Sequence, residues 1–118
     1  MLTFEAISLD ALDALDGERL DALPFGVVGL SSEGVVEIYN ATEAQLAGLP
    51  RDSVLGTHYF SATAQCMNNF MVAQRFEDEA EIDAIIDYVL TLRMRPTPVR
   101  LRLLKAPQAY HRFILIQR

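Results

Sequence analysis

Tyr39-Asn40-Ala41-Thr42-Glu43 is the stretch on which the reading of this chain turns. It stands where an alternating apolar segment, Val35-Val36-Glu37-Ile38-Tyr39, gives way to a helical pattern. Asn40 is a strong N-cap type, because its side-chain oxygen can accept from the free amides of a first helical turn. Glu43, three residues on, completes the pattern of a capping box. Gly48 then ends the helix. Across such a helix start, Tyr39 and Glu43 stand at i and i+4, so a phenol and a carboxyl can point to one spot. The single cysteine, Cys66, follows after a gap long enough to bring it back across a pocket.

Upstream, the apolar run of residues 25–30 reads as a strand and Ser31-Ser32-Glu33-Gly34 as a turn, with Gly34 suited to a positive φ. Residues 25–39 are therefore a hairpin. Residues 1–24 are acidic and amphipathic. Leu9, Leu12, Leu15, Leu20 and Leu23 recur at near-helical spacing among Asp10, Asp13, Asp16 and Asp21. Ser8 or Asp10 caps a first short helix and Gly17 ends it. A second turn covers residues 18–22 until Pro24 stops it. The expectation is an N-terminal cap of short helices over residues 1–24, and a core over 25–118, in one compact domain.

Downstream, Pro50-Arg51-Asp52-Ser53 begins a short turn, with Val54 and Leu55 facing inward and Gly56 closing it. Residues 57–68 read as irregular. The spacing of Phe70, Ala73 and Phe76 predicts a helix from Asn69 to about Ala80. Residues 82–92 fit a helix face and a strand face equally well. A strand over 85–94 is chosen, because the later hairpin needs a neighbour. Pro96-Thr97-Pro98 is a break, and residues 99–104 and 110–116 are alternating strands. The order implies an α+β fold with a central, mainly antiparallel sheet of five strands and flanking short helices.

Composition removes several function classes. The 118 residues are 51% apolar, enough for one real core. The net charge of −6 argues against nucleic acid, whose phosphates are bound by clustered Lys and Arg. Arg100-Leu101-Arg102-Leu103 reads as the wet face of a strand rather than as a binding patch. No apolar run approaches the roughly 20 residues that span a bilayer, and Met1-Leu2-Thr3-Phe4-Glu5 is unlike a secretory signal. A cytoplasmic location without membrane attachment is expected. One cysteine and two histidines without ligand spacing offer no metal site. Cys66 lacks a histidine partner at motif spacing, so an enzyme is not expected.

The order of elements, with Leu20-Asp21-Ala22-Leu23-Pro24-Phe25-Gly26, Tyr39-Asn40-Ala41-Thr42-Glu43, Val54-Leu55-Gly56, Tyr59-Phe60, Ala64-Gln65-Cys66 and Met94-Arg95-Pro96-Thr97, resembles the photoactive yellow protein family of the PAS superfamily. The likeness runs through nearly the whole chain. It implies a blue-light sensor carrying p-coumaric acid (4-hydroxycinnamic acid) as a thioester on Cys66. Tyr39 and Glu43 match the pair that hydrogen-bonds the phenolate, and Met94 matches a residue that helps the pigment return to its dark isomer. Two positions depart from the family. Ala47 stands where a threonine usually supports the tyrosine hydroxyl, and Leu49 where an arginine usually covers the phenolate. Leu90 and Leu92 replace usual aromatics. A less strongly stabilised phenolate and altered dark recovery follow as expectations.

A buried phenolate needs strong donors, and a tyrosine hydroxyl and a carboxylic acid kept protonated by burial both qualify. Loss of that proton would leave a buried charge, a trigger for partial unfolding of the N-terminal helices and signalling to a partner not named by the sequence. Each residue also has a plain structural reading. Cys66 is then a small apolar core residue, Glu43 half of a capping box, Tyr39 a strand-end aromatic and Met94 core. The alternative function is a pigment-free PAS module for dimerisation or ligand sensing. A monomer or weak dimer is expected in either case.

Overall fold

The computed structural model describes residues 2–91 and 95–118. Two short helices come first, α1 (Leu9–Ala14) and α2 (Gly17–Asp21). The hairpin follows as β1 (Gly26–Leu30) and β2 (Val36–Tyr39). Next come α3 (Ala41–Ala47), α4 (Arg51–Val54), a π-helical turn at Tyr59–Thr63, a 3-10 turn at Gln65–Met67 and α5 (Ala73–Asp78). Three strands close the chain, β3 (Ile82–Leu90), β4 (Thr97–Lys105) and β5 (Arg112–Gln117). The five strands form one sheet in the order β2-β1-β5-β4-β3, with every pairing antiparallel. This is the α+β architecture expected from the pattern, and it is PAS-like.

The period of two along each strand divides the core into two layers. Val28, Leu101, Leu103, Ile114 and Ile116 face α3, the π-helical turn and α5. Val27, Leu104, Phe113 and Leu115 face the N-terminal segment, where Phe4, Ile7, Leu12, Leu20 and Leu23 cover them. β1 and the centre of β5 are thus buried on both faces.

Several local expectations are corrected. Ser8 does cap α1, accepting from Ala11 N at 3.0 Å, but the helix ends at Leu15. Gly17 instead opens α2, capped by Asp16. Leu55 is 36% exposed rather than inward-facing. Residues 57–68 are not irregular throughout but hold the π-helical and 3-10 turns. The fifth helix begins at Ala73, because the Asn69 side chain accepts from Met71 N and Val72 N and makes a turn of the preceding residues. Phe70 is consequently 78% exposed. The strand expected at 85–94 starts at Ile82, and its last expected residues, 92–94, lie outside the described ones. The break ends earlier than expected, since β4 starts at Thr97.

The reading of Arg100 and Arg102 as a wet strand face holds in part for Arg100, whose side chain is 40% exposed, and fails for Arg102. Their alternation with Leu101 and Leu103 is real, but the cap occupies their face. Arg102 is only 5% exposed; Nη1 donates to the carbonyls of Phe4 and Ile7, while Nε and Nη2 grip Asp83 at 2.9 and 3.0 Å. Arg100 lies over the Phe4 ring and pairs with Glu5 at 3.0 Å.

Candidate functional site

The site is built where β2 hands over to α3. Asn40 caps α3 by accepting from Glu43 N at 3.1 Å. Its oxygen also accepts from Val27 N at 2.9 Å, and its Nδ2 donates to Leu20 O at 2.8 Å and Phe25 O at 3.1 Å. One buried amide therefore joins α3, β1 and the end of the cap. Asp21 adds a second tie, accepting from Ala41 N and from the Arg51 guanidinium, both at 2.8 Å. Thr42 adds a third, donating to Leu23 O at 2.6 Å. Gly48, with φ of 71°, ends α3 as its glycine implies.

This scaffold buries Tyr39 at 3% exposure and Glu43 completely. The capping box is only half realised. Glu43 N is capped by Asn40, but the Glu43 carboxylate turns away to Arg118, which donates from Nη1 at 2.7 Å and from Nη2 at 3.1 Å. Burial pushes the Glu43 carboxyl above its ordinary range, with Arg118 pulling the other way. Arg118 remains charged: burial opposes its charge, but the Glu43 contacts and nearby tyrosines hold its pKa above normal.

The hydroxyls of Tyr39 and Tyr59 are buried and have no hydrogen-bond partner among the described residues. Burial raises both phenol pKa values. Glu43 raises them further and Arg118 opposes; for Tyr59, Tyr39 and Cys66 also contribute. Tyr59 therefore sits within electrostatic reach of the other four groups, Tyr39, Glu43, Cys66 and Arg118. A buried hydroxyl without a partner is costly and uncommon, and two around one carboxylate form a site poised to donate to an incoming oxygen.

Cys66 lies in the 3-10 turn, half-buried and packed on the same core layer. Its carbonyl accepts from the Tyr88 hydroxyl and from Asn69 Nδ2 at 3.1 Å, and the same Asn69 amide donates to Tyr88 at 2.6 Å. The backbone of Cys66 is thereby pinned to β3 and its thiol is uncommitted to any disulfide. Ala47 is buried and Leu49 packs against this core layer. Ala47 and Arg118 also border an open cleft of about 580 Å³ together with Gly48, Leu90, Arg95 and Thr97. Met94 lies outside the described residues.

The structure thus brings Tyr39 and Glu43 to one place, with Cys66 on the same core layer. It adds Tyr59, Tyr88 and Arg118, which the sequence reading had not selected for the site. Strand parity is the signal that reaches Arg118. Ile114 and Ile116 of β5 face the layer that holds Tyr39, so residue 118 follows on that side.

Gly26 explains how Glu43 fits. A Cβ at Gly26 would stand 2.1 Å from Glu43 Oε1 and 3.0 Å from its Cδ. Gly26→Ala is expected to push Glu43 off Arg118 and cost about 1–3 kcal/mol as overpacking does. Gly17→Ala, with nothing within 4 Å, is the control expected to stay near neutral. Chemical unfolding of both variants checks the contrast. Equal stability of the two would show that Glu43 does not depend on the space at Gly26.

No family model matches the chain. The photoactive yellow protein of Rhodothalassium salexigens is 27% identical over 112 residues, covering 92% of this chain and 90% of that protein. The photoactive yellow protein of Halochromatium salexigens is 29% identical over 100 residues, covering 82% and 80%. Among solved structures, the photoactive yellow protein domain of the sensor histidine kinase Ppr from Rhodospirillum centenum superposes with a TM-score of 0.84 at 29% identity. That match covers 92% of this chain and 98% of the domain. These homologues support a photoreceptor or sensor role. The chain is a PAS-fold domain homologous to the photoactive yellow proteins.

Proposed function

We propose that the chain is a blue-light photoreceptor holding p-coumaric acid as a thioester on Cys66. The observation that carries this reading is the pair of buried, unpartnered hydroxyls of Tyr39 and Tyr59 beside Glu43. They are O–H donors awaiting an acceptor, and a phenol oxygen is the acceptor that the pigment would place there. The pigment supplies light absorption and a change of shape at its double bond. Tyr39 and Glu43 hold its phenol end, Cys66 holds its acyl end, and Ala47 and Leu49 line it. Glu43 would hold a proton in the loaded state and pass it to the phenolate oxygen after isomerisation, so that the Glu43 O–H bond breaks and an O–H bond forms on that oxygen. The resulting carboxylate sits at the start of α3, which Asn40, Asp21 and Thr42 tie to the cap. The cap of residues 1–24 then loosens from the PAS core of 25–118 and signals to a downstream protein. The chain works in the cytoplasm as a monomer or weak dimer, with no enzymatic step and no role for nucleic acid, membrane or metal.

A second reading, a pigment-free PAS sensor or dimerisation module, is favoured by one observation. The Arg118–Glu43 pair satisfies the buried carboxylate with no ligand at all.

Treating the purified protein with an activated p-coumaroyl ester separates the two. The expected result is a mass gain of one pigment, abolished in Cys66→Ala, and a visible band that bleaches and recovers in light. Tyr39→Phe and Glu43→Gln should shift that band and leave attachment intact. An unmodified mass, or an adduct indifferent to light, favours the pigment-free module.

A further inference from the structure

We infer that Arg118 is the counter-ion of the site and that it changes partner on loading. It is bound to the Glu43 carboxylate in the ligand-free chain and to an anionic phenol oxygen once one is seated. This rests on the site being a phenol site, as proposed above.

Charge balance carries the argument. In this structure Glu43 is fully buried and paired in two-toothed fashion with Arg118, whose side chain is 16% exposed. The groups around this spot are Tyr39 from β2, Tyr59 from the π-helical turn, Cys66 from the 3-10 turn and Arg118 following β5. Of these described groups Arg118 is the cation, and with Glu43 ionised they are together neutral; Arg95 borders the same cleft but is exposed. An added phenolate would leave one uncompensated negative charge in a buried place, which is strongly unfavourable. Neutrality is kept whether the phenol holds its proton or passes it to Glu43. The two buried O–H donors of Tyr39 and Tyr59 favour the anionic phenol oxygen, so the phenol O–H bond breaks and an O–H bond forms on a Glu43 oxygen. The proton is the phenol's own, so none is needed from solvent. Glu43 is then a carboxylic acid that no longer needs a guanidinium, and the charge that Arg118 must answer has moved to the phenol oxygen. Tyr39 and Tyr59 donate their free hydroxyls to that same oxygen.

Arg118 is placed to make the move. It borders the open cleft of about 580 Å³ beside Ala47 and Leu90 while it reaches inward to Glu43. An arginine is suited to this exchange, since its planar fork keeps its charge in both settings. Its side chain reaches the carboxylate from beyond β5, 75 residues along the chain from Glu43. No neighbouring residue of α3 has to supply the cation.

Two measurements test the exchange. The first needs no change at Arg118. Infrared spectra of protein with 13C-labelled glutamate, with Glu43→Gln to identify the band, follow the Glu43 carboxyl before and after loading with the activated p-coumaroyl ester. The expected result is a carboxylate before loading and a carboxylic acid after it. A carboxylic acid already present in the unloaded chain overturns the inference. The second is the pigment's own titration by absorbance in wild type, Arg118→Gln and Arg118→Lys, with folding checked by circular dichroism. Arg118→Gln is expected to raise the pigment pKa by about two units, roughly a 100-fold change in ionisation. Arg118→Lys is expected to restore part of it. An unchanged pigment pKa in folded Arg118→Gln overturns the inference while leaving the photoreceptor reading intact. Failure of the wild type to take the pigment on Cys66 is a different outcome, which removes that reading and the inference with it.

Discussion

Asn40→Ala is expected to be among the most damaging single substitutions in the chain, costing about 3–5 kcal/mol of folding stability. A helix cap alone would be worth about 1 kcal/mol. Asn40 does more, because its oxygen serves Val27 N and Glu43 N and its Nδ2 serves two carbonyls, those of Leu20 and Phe25. The residue is 2% exposed, so water cannot replace these bonds without opening the structure. Each buried group left without a partner costs about 1–3 kcal/mol, and the four are not independent. Asn40→Asp keeps the acceptor but sets a buried carboxylate oxygen against the carbonyls of Leu20 and Phe25, so it should cost at least as much as alanine at neutral pH. Urea unfolding measures the series, and hydrogen exchange should show the segment before β1 opening first. A cost near 1 kcal/mol for Asn40→Ala would mean that the ties to the cap contribute little.

The second large effect is Arg118→Gln in the ligand-free chain, which leaves Glu43 buried without its cation. Breaking one side of a buried pair costs about 3–5 kcal/mol. This cost depends on pH in a definite direction. Burial already holds the Glu43 pKa above the ordinary 4.5, and removing Arg118 removes the force that opposes this. A carboxyl with a folded-state pKa raised above its unfolded value is protonated in both states at pH below 4.5, so little penalty remains there. As pH rises from that value through the raised folded-state pKa, the folded chain holds a proton that the unfolded chain has lost, and stability falls. The gap between Arg118→Gln and wild type should therefore be small near pH 4 and reach its full size at neutral pH. In the double variant Arg118→Gln, Glu43→Gln the gap should be largely flat with pH. Unfolding curves of Arg118→Gln, Glu43→Gln, the double variant and wild type at several pH values supply the comparison. A gap independent of pH would show that Glu43 is not the group left stranded.

Both effects arise from contacts that join distant parts of the chain, and they mark the limit of what periodicity conveys. The hairpin of residues 25–39 was legible because two short apolar segments stand on either side of a turn whose Gly34 adopts φ of 81°. The α3 helix was legible because Asn40 and Gly48 mark its ends with the residues that helix ends require. Helix α5 was misplaced at its start, since a Phe-rich 3–4 spacing cannot reveal that Asn69 spends its side-chain oxygen on two backbone amides. Arg102 shows the same limit on a strand. Alternation assigns it a face, but only the cap decides whether that face meets water or the carbonyls of Phe4 and Ile7.

The loss of arginine at position 49 led to the expectation of a poorly supported phenolate, and Arg118 changes the terms of that expectation. A cation does stand at the site, contributed from beyond β5 rather than by the α3–α4 connection. The Tyr39 hydroxyl, by contrast, has no hydrogen-bond partner among the described residues, as Ala47 implies.

By itself the sequence determined the first hairpin, the capped start of α3, the placement of Tyr39 and Glu43 at one end of it, and the likeness that singles out Cys66. These follow from local periods, cap chemistry and the order of short segments along the chain. Only the tertiary structure decided that Glu43 pairs with Arg118, that Tyr59 joins Tyr39 as a second free donor, and that Tyr88 and Asn69 pin Cys66. The physical reason is that ion pairing and hydrogen bonding depend on distance in space, and sheet order β2-β1-β5 brings Arg118 beside α3 across 75 residues of chain.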